Sequence, residues 1–418
     1  MTRQRIVIIG AALAGATAAA TLREEGFDGQ VQLVGAENHR PYNRPPLSKG
    51  YLRGQERLED QLVNPAAYYA EHDIELRLGT RATVIDPGRK TVELSDHAEL
   101  GYDKLLVATG GRNRTLSVPG ADLPGIFQLR TVDDCDRIRA AARPGARAVV
   151  IGLGFIGSEV SASLRQLGLE VAAVEGHRVP LARVLGDEVG EVLAGIHREK
   201  GVELVLEDAV AAFEGAGRLE RVRTRTGRLL PCDLVVAGIG IVPNSELLAA
   251  AGGAVDNGVL VDESCRTSLP DVYAAGDIAN HQHPIFGRLR VEHWNNGQRQ
   301  GRAAARSMLG RAEPYDYLHS FWSDQYEHTL EYVGFAATWD RLVFRGRPES
   351  RAFLGFYLKD GILRAAVGLN RGGDPEDPNA DSELKVVANL IRHRVAVDAT
   401  RLADEDIDLH GLASSPAR

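Results

Sequence analysis

Two stretches of this chain follow one design, and that repetition constrains the fold more than any other feature. Each has an apolar run, a glycine-rich turn, a helix-like segment and, after the next apolar run, an acid. Residues 6–15 read IVIIGAALAG, with Gly10 and Gly15 in the turn and Glu37 after the run at 30–34. Residues 148–157 read AVVIGLGFIG, with Gly152, Gly154 and Gly157, and Glu175 after the run at 171–174. In such a strand–turn–helix the first glycine makes the turn and the second lets backbone approach a pyrophosphate. The third lets the helix lie close on the strand, and the helix N-terminus faces the phosphate charge. The acid can bind two ribose hydroxyls.

A bare G-x-G-x-x-G carries little weight in a chain with 45 glycines. The context supplies the weight. The run before Gly152 reads as a buried parallel strand and residues 158–168 as the helix that follows. Two dinucleotide-binding units on one chain suggest two dinucleotides brought face to face, as needed to move a hydride from a nicotinamide to a flavin. Glu175 would repel a 2′-phosphate and so favours NADH over NADPH, a preference tempered by His177 and Arg178. Ala12 stands where the first turn should have its second glycine, and its methyl would crowd the pyrophosphate unless the loop shifts. Residues 1–20, with Arg3, Arg5 and three consecutive alanines, also resemble a secretion signal; the spacing to Glu37 and the strand at 30–34 favour the βαβ reading.

Composition narrows the remaining classes. The chain has 418 residues, enough for two or three domains, with 44% hydrophobic and 25% charged residues as in an ordinary soluble protein. No apolar run reaches the length of a membrane span, which predicts a cytoplasmic protein and no membrane partner. A net charge of −8 argues against nucleic acid, and no Cys/His cluster suggests a metal site. Cys135, Cys232 and Cys265 stand singly with no CxxC pair, so they read as quiet thiols rather than a catalytic dithiol.

The predicted organisation is α/β. A discontinuous first domain takes residues 1–112 and 244–319, a second takes 113–243, and an α+β domain takes 320–418. A proline-rich loop covers 41–54, a short helix lies near 65–72, and strands fall at 91–94 and 105–108. In the last domain the strand-like runs are 331–334, 342–344, 353–358 and 363–369, before an amphipathic helix at 380–393.

These ordered motifs resemble the FAD-dependent, NADH-linked ferredoxin reductases of bacterial oxygenase systems. The resemblance rests on residues 41–49, 102–110, 129–131, 152–159, 238–243, 267–277, 292–294 and 321–326, and Ala12 is the clearest departure. It implies a glutathione-reductase-like pair of Rossmann domains with a C-terminal interface domain. For FAD it implies Gly10, Leu13, Ala14, Gly15 and Glu37, then Arg44, Lys49, Ala82, Thr109, Gly110 and Arg130, with Asp277 toward the ribityl chain and His293 and Trp294 beside the ring. For NADH it implies Gly152, Gly154, Phe155, Ile156, Gly157, Glu159, Glu175 and Arg183, with Gly238, Ile239 and Gly240 closing over it.

The resemblance also sets Lys49 and Glu159 nearest the reaction, as a buried cation for the reduced flavin and its counter-charge. It makes Trp322 the aromatic at the carrier interface. Without redox cysteines, electrons should leave singly to a small iron–sulfur carrier, a [2Fe-2S] ferredoxin feeding a cytochrome P450 or Rieske-type oxygenase. Rubredoxin is the alternative acceptor, and a redox-switched interaction protein like apoptosis-inducing factor the alternative class. Despite the overall charge, residues 281–320 carry Arg288, Arg290, Arg299, Arg302, Arg306 and Arg311 against Glu292, Glu313 and Asp316. Arg299, Arg302 and Arg306 fall at helical spacing and would form one basic stripe that steers an acidic ferredoxin.

Overall fold

The computed structural model describes residues 3–377 and 382–412, which fall into two units. The first comprises Met1–Asn43, Arg57–Arg112 and Ile241–Tyr317; the second comprises Arg44–Glu56, Asn113–Gly240 and Leu318–Arg418. Residues 44–56, which the sequence grouped with the first domain, pack in the second unit. The reason lies in their side chains: Arg53 donates to Ser163 and Tyr51 to Asp136. Ser48 and Lys49 reach Glu159.

The first unit is built on a five-stranded parallel sheet in the order Val272–Ala274, Lys104–Val107, Arg5–Ile9, Gln30–Val34, Ile74–Arg77. Alternate residues of Arg5–Ile9 enter different cores. Ile6 and Ile8 pack with helix residues Ala16, Ala19 and Leu22, and Val7 and Ile9 pack with Val92, Leu100 and Val259 on the opposite face. That two-sided burial explains an apolar run without alternation. Small residues let the helix Leu13–Glu24 lie close against Trp294–Met308: a Cβ at Gly301 would sit 2.3 Å from the Ala14 carbonyl oxygen. The antiparallel strands Ala82–Asp86, Thr91–Leu94 and Glu99–Gly101 complete this part.

The second unit repeats the plan with parallel strands in the order Val202–Val205, Glu170–Val174, Arg147–Ile151, Leu234–Ala237, Ile126–Gln128. In both sheets the strand before the glycine turn is central, and the order reverses beside it. Ligands of open α/β sheets bind at this switch point, beyond the carboxyl ends of the strands.

The C-terminal part is a five-stranded antiparallel sheet in the order Ser320–Gln325, His328–Gly334, Ile362–Leu369, Ala352–Lys359, Arg341–Arg347. One face, with Phe321, Leu330, Tyr332 and Tyr357, packs on Leu185, Val189, Leu193 and Ile196 of the helix Ala182–Glu199. The helix predicted at 380–393 is observed as Glu383–Arg392, with Ser382 capping it through the Lys385 N–H. Residues 380 and 381 lie outside the described residues. The Arg345 guanidinium holds the segment 404–407 by donating to the carbonyls of Asp404 at 2.6 Å and Ile407 at 2.7 Å. No helix among the described residues is long and apolar enough to cross a membrane.

Glu331 lies directly across the sheet from Trp322. Burial, with Asp374 and Asp324 nearby, pushes its carboxyl up to about 7. Between the ordinary carboxylate range and this value the unfolded chain loses its proton while the fold keeps it, so the group's contribution to stability is lost as pH rises. Glu331→Gln therefore matches the parent melting temperature near pH 4, exceeds it increasingly as pH rises to about 7, and keeps a constant lead above that. A difference independent of pH contradicts this assignment.

Candidate active site

Both turns show what their glycines are for. Gly10 has φ +112, and a Cβ there would lie 2.2 Å from the Ala108 carbonyl oxygen; one at Gly15 would lie 2.0 Å from that of Gly10. Gly152 has φ +86, and its Cβ would approach the Gly238 oxygen to 2.6 Å; at Gly157 the distance to the Gly152 oxygen would be 1.8 Å. Gly154 differs. Its φ is −71, and a Cβ there would meet no protein atom within 4 Å. Neither backbone nor packing requires that glycine, so the room it leaves fits a ligand. Ala12 holds the equivalent place with φ −104 and ψ −165 against ψ −169 at Gly154, so the two turns share one extended conformation.

The helices that follow, Leu13–Glu24 and Phe155–Gln166, have no side-chain cap, unlike Val132–Ala141, which Thr131 and Asp134 close with a capping box. Uncapped N–H groups beside an open turn fit an anionic diphosphate. The residues present fit FAD and NAD(H).

In the first unit, Glu37 accepts a hydrogen bond from the Tyr42 hydroxyl at 2.5 Å, which fixes the carboxylate expected at the ribose. The Thr109 hydroxyl donates to the Asn244 carbonyl at 3.1 Å, and the Asn244 N–H returns a bond to Gly110 at 2.9 Å. Gly276 lies so close to Ala14 that a Cβ would be 3.1 Å from the Ala14 methyl, which brings neighbouring Asp277 to the fingerprint helix. Trp294 is held by its indole N–H donating to Asn43 at 2.8 Å. Burial pushes the His293 imidazole down to about 4, so it is neutral. Ala82 opens the separate antiparallel strand.

In the second unit, Glu175 accepts from the Leu153 N–H at 2.6 Å and from the His177 N–H at 3.0 Å, while the His177 ring Nδ1 approaches it to 2.6 Å. Arg183 Nε donates to His177 Nε2 at 3.1 Å. Arg183, His177 and Glu175 thus form one hydrogen-bonded chain. Ile156 is 43% exposed, an uncovered apolar side chain next to the open turn. Phe155 packs edge-on against Phe321 with centroids 4.6 Å apart. Gly238 lies against Gly157, and Ile239 and Gly240 continue that loop. Arg44 donates to the Arg130 carbonyl, bringing these two arginines together.

Lys49 and Glu159, both predicted from the sequence, form an ionic pair that is largely buried. The ammonium lies 2.8 Å from Glu159 Oε2, with side-chain exposures of 13% and 3%. Ser48 donates to the same oxygen at 2.5 Å, and Ser323 donates to Oε1 at 2.7 Å. Sequence reasoning missed both serines, because nothing in a lone serine marks it and their partner is far along the chain. Trp322 is half-buried and, being next to Ser323 on one strand, projects from the opposite face of the sheet.

Arg299, Arg302 and Arg306 are all exposed on the helix Trp294–Met308, so the stripe exists. Its charge is smaller than the residue count implied. Arg306 pairs with Glu25 at 2.7 Å and Arg311 binds the same carboxylate. Arg288 donates to backbone carbonyls and Arg290 pairs with Glu292. Arg299 stacks over the Tyr317 ring at 5.8 Å. All three cysteines are buried, and burial pushes each thiol up to about 12.

The family model for pyridine nucleotide-disulphide oxidoreductases matches residues 4–301, and that for the reductase C-terminal domain matches residues 320–413. The chain belongs to the pyridine nucleotide-disulphide oxidoreductase family. Within this family it is 39% identical to the 5,5'-dehydrodivanillate O-demethylase ferredoxin reductase subunit of a Sphingobium species, over 98% of each chain. It is 36% identical to the biphenyl dioxygenase system ferredoxin–NAD(+) reductase component of Paraburkholderia xenovorans, over 97% of this chain and 98% of the relative. Among solved structures it resembles that of the covalent putidaredoxin reductase–putidaredoxin complex, with a TM-score of 0.93, 35% identity and 99% of each chain covered. The chain therefore has the α/β fold of the reductases, two Rossmann-like sheets and a C-terminal antiparallel domain, with FAD and NAD(H) as the family's cofactors.

Proposed function

We propose that this chain takes reducing equivalents from NADH and delivers them to a small [2Fe-2S] ferredoxin serving an oxygenase. The observation that carries the reading is the buried Lys49–Glu159 pair at the start of the second fingerprint helix. FAD, when bound, supplies the chemistry: it accepts a hydride from NADH and gives up electrons one at a time.

The residues around it bind and orient. Gly10 and Gly15 shape one phosphate turn, and Gly152, Gly154 and Gly157 the other, each ahead of an uncapped helix. Glu37 and Glu175 offer carboxylates to ribose hydroxyls, fixed by Tyr42 and by Leu153 with His177. Lys49 keeps a positive charge where negative charge accumulates, and Glu159 prevents that cation from being buried alone. Exit through a protein disulfide is disfavoured despite the family's name, since all three thiols are buried and held protonated.

Arg299 and Arg302 are the arginines best placed to steer an acidic carrier, and Trp322 is the aromatic offered to it. In Arg299→Glu/Arg302→Glu, NADH-driven reduction of a [2Fe-2S] ferredoxin slows about tenfold at low salt, and the deficit narrows as salt is added. Reduction of ferricyanide by NADH is unchanged. Equal loss with both acceptors removes the docking assignment, and electrons passing faster to oxygen than to any ferredoxin contradict the reductase reading.

A further inference from the structure

Glu159 is held from two directions, and one of them is the C-terminal sheet. Lys49 and Ser48 occupy Oε2, while Ser323, on the strand Ser320–Gln325, donates to Oε1 at 2.7 Å. Ser323 does not stand alone. The Gln325 amide N–H points at the Ser323 oxygen at 3.4 Å, and the Gln325 carbonyl oxygen lies 3.1 Å from His197 Nε2. His197 Nδ1 lies 3.2 Å from the Tyr326 hydroxyl. Ser323, Gln325 and His197 are all buried.

Donors and acceptors along this path are consistent in one direction only. Burial pushes the His197 imidazole down to about 4, so it carries a single proton at neutral pH. With that proton on Nε2, His197 donates to the Gln325 oxygen, and its Nδ1 accepts from Tyr326. The Gln325 amide is thereby fixed with its N–H toward Ser323. The Ser323 oxygen, accepting from Gln325, turns its own proton to Glu159. Each group has its partner and the chain ends on a carboxylate, the strongest acceptor in it.

We infer that Ser323 is a positioning residue for Glu159, and that the path Tyr326–His197–Gln325–Ser323 sets the orientation of this carboxylate from the C-terminal sheet. The inference rests on the reading of Glu159 given above. A carboxylate held by Lys49 and Ser48 alone keeps its charge but can turn about its last bonds. Ser323 removes that freedom. Loss of the hydroxyl makes Glu159 easier to displace by the nicotinamide and less well placed during transfer, so binding and rate move in opposite senses.

The test is a double-mutant cycle on the FAD-loaded protein with Ser323→Ala and Glu159→Ala. In the parent background Ser323→Ala slows anaerobic flavin reduction by NADH about tenfold, the scale of one buried hydrogen bond to a charged group. The dissociation constant of NAD+, read from the flavin absorbance change, falls about threefold. Ser323→Thr, which keeps the hydroxyl, retains the parent rate. In the Glu159→Ala background Ser323→Ala changes neither quantity. Where Ser323→Ala yields no folded protein, Gln325→Met enters the same cycle and moves both quantities the same way by a smaller factor. Equal effects in the two backgrounds, or a parent-like Ser323→Ala beside a slow Glu159→Ala, overturn the inference alone. A Glu159→Ala protein that reduces its flavin at the parent rate overturns the reading of Glu159 itself.

Discussion

Replacing Gly157 with alanine raises the NADH dissociation constant at least a hundredfold, roughly 2.7 kcal/mol, while FAD remains bound. The added Cβ would lie 1.8 Å from the Gly152 carbonyl oxygen, and that neighbour is backbone. It can yield only if the turn and the helix Phe155–Gln166 move apart, which spoils the spacing that the diphosphate needs. The first turn is built from Gly10 and Gly15 of the other unit, so its cofactor is untouched. Gly154→Ala separates packing from ligand approach. With no protein atom within 4 Å of the new methyl, the fold keeps the parent melting temperature, and NADH affinity falls more modestly. The precedent is Ala12, which the first turn already carries in the same extended conformation. Isothermal titration of both variants checks the ordering, and equal affinities would refute it.

Lys49→Met has an effect of comparable size for a different reason. It leaves Glu159, 3% exposed, with hydroxyl donors and no counter-charge. Breaking a buried pair in this way destabilises by about 3 kcal/mol, seen as a lower melting temperature. Flavin reduction by NADH slows about a hundredfold, because the cation that favours negative charge on the cofactor is gone. Adding Glu159→Leu distinguishes the two losses. Removal of both charges restores most of the stability, since an apolar pair suits a buried site, and it restores none of the rate. A double variant that regains rate together with stability would reduce the pair to a structural ion pair.

The sheets were legible in the sequence because their strands are buried on both faces. Uninterrupted apolar runs ending in glycine, as at 148–152, admit few other interpretations. The strand predicted at 30–34 is observed as Gln30–Val34, and that at 91–94 as Thr91–Leu94. The helix Ala182–Glu199 was not read, because Gly186, Gly190 and Gly195 weaken its signal. Each of the first two has a tertiary reason. Gly186 bends the helix at φ +78 where Trp339 presses in, and a Cβ at Gly190 would lie 2.3 Å from Val179. The helix expected near 65–72 shrinks to Tyr68–Glu71.

At the site, residues with a local motif were legible and residues defined by a distant partner were not. Glu175 could be named from its spacing after Gly157. Tyr42, Ser48, Ser323 and Gln325 could not, since a hydroxyl or amide acquires its role only once the fold brings a carboxylate or imidazole to it. The basic stripe shows the converse limit. Its spacing gave the exposed face of one helix, but the pairing of Arg306 with Glu25 joins residues from opposite ends of the unit. Charge counted along a segment overstates charge available at the surface.

Anaerobic mixing of the purified, FAD-loaded protein with NADH, followed through the flavin's visible absorbance, decides whether this chain passes a hydride from nicotinamide to flavin. The expected result is a yellow protein whose flavin band bleaches in a single turnover and returns when oxidised [2Fe-2S] ferredoxin is added. A protein that stays colourless after incubation with FAD, or a flavin band unaltered by NADH, would contradict it.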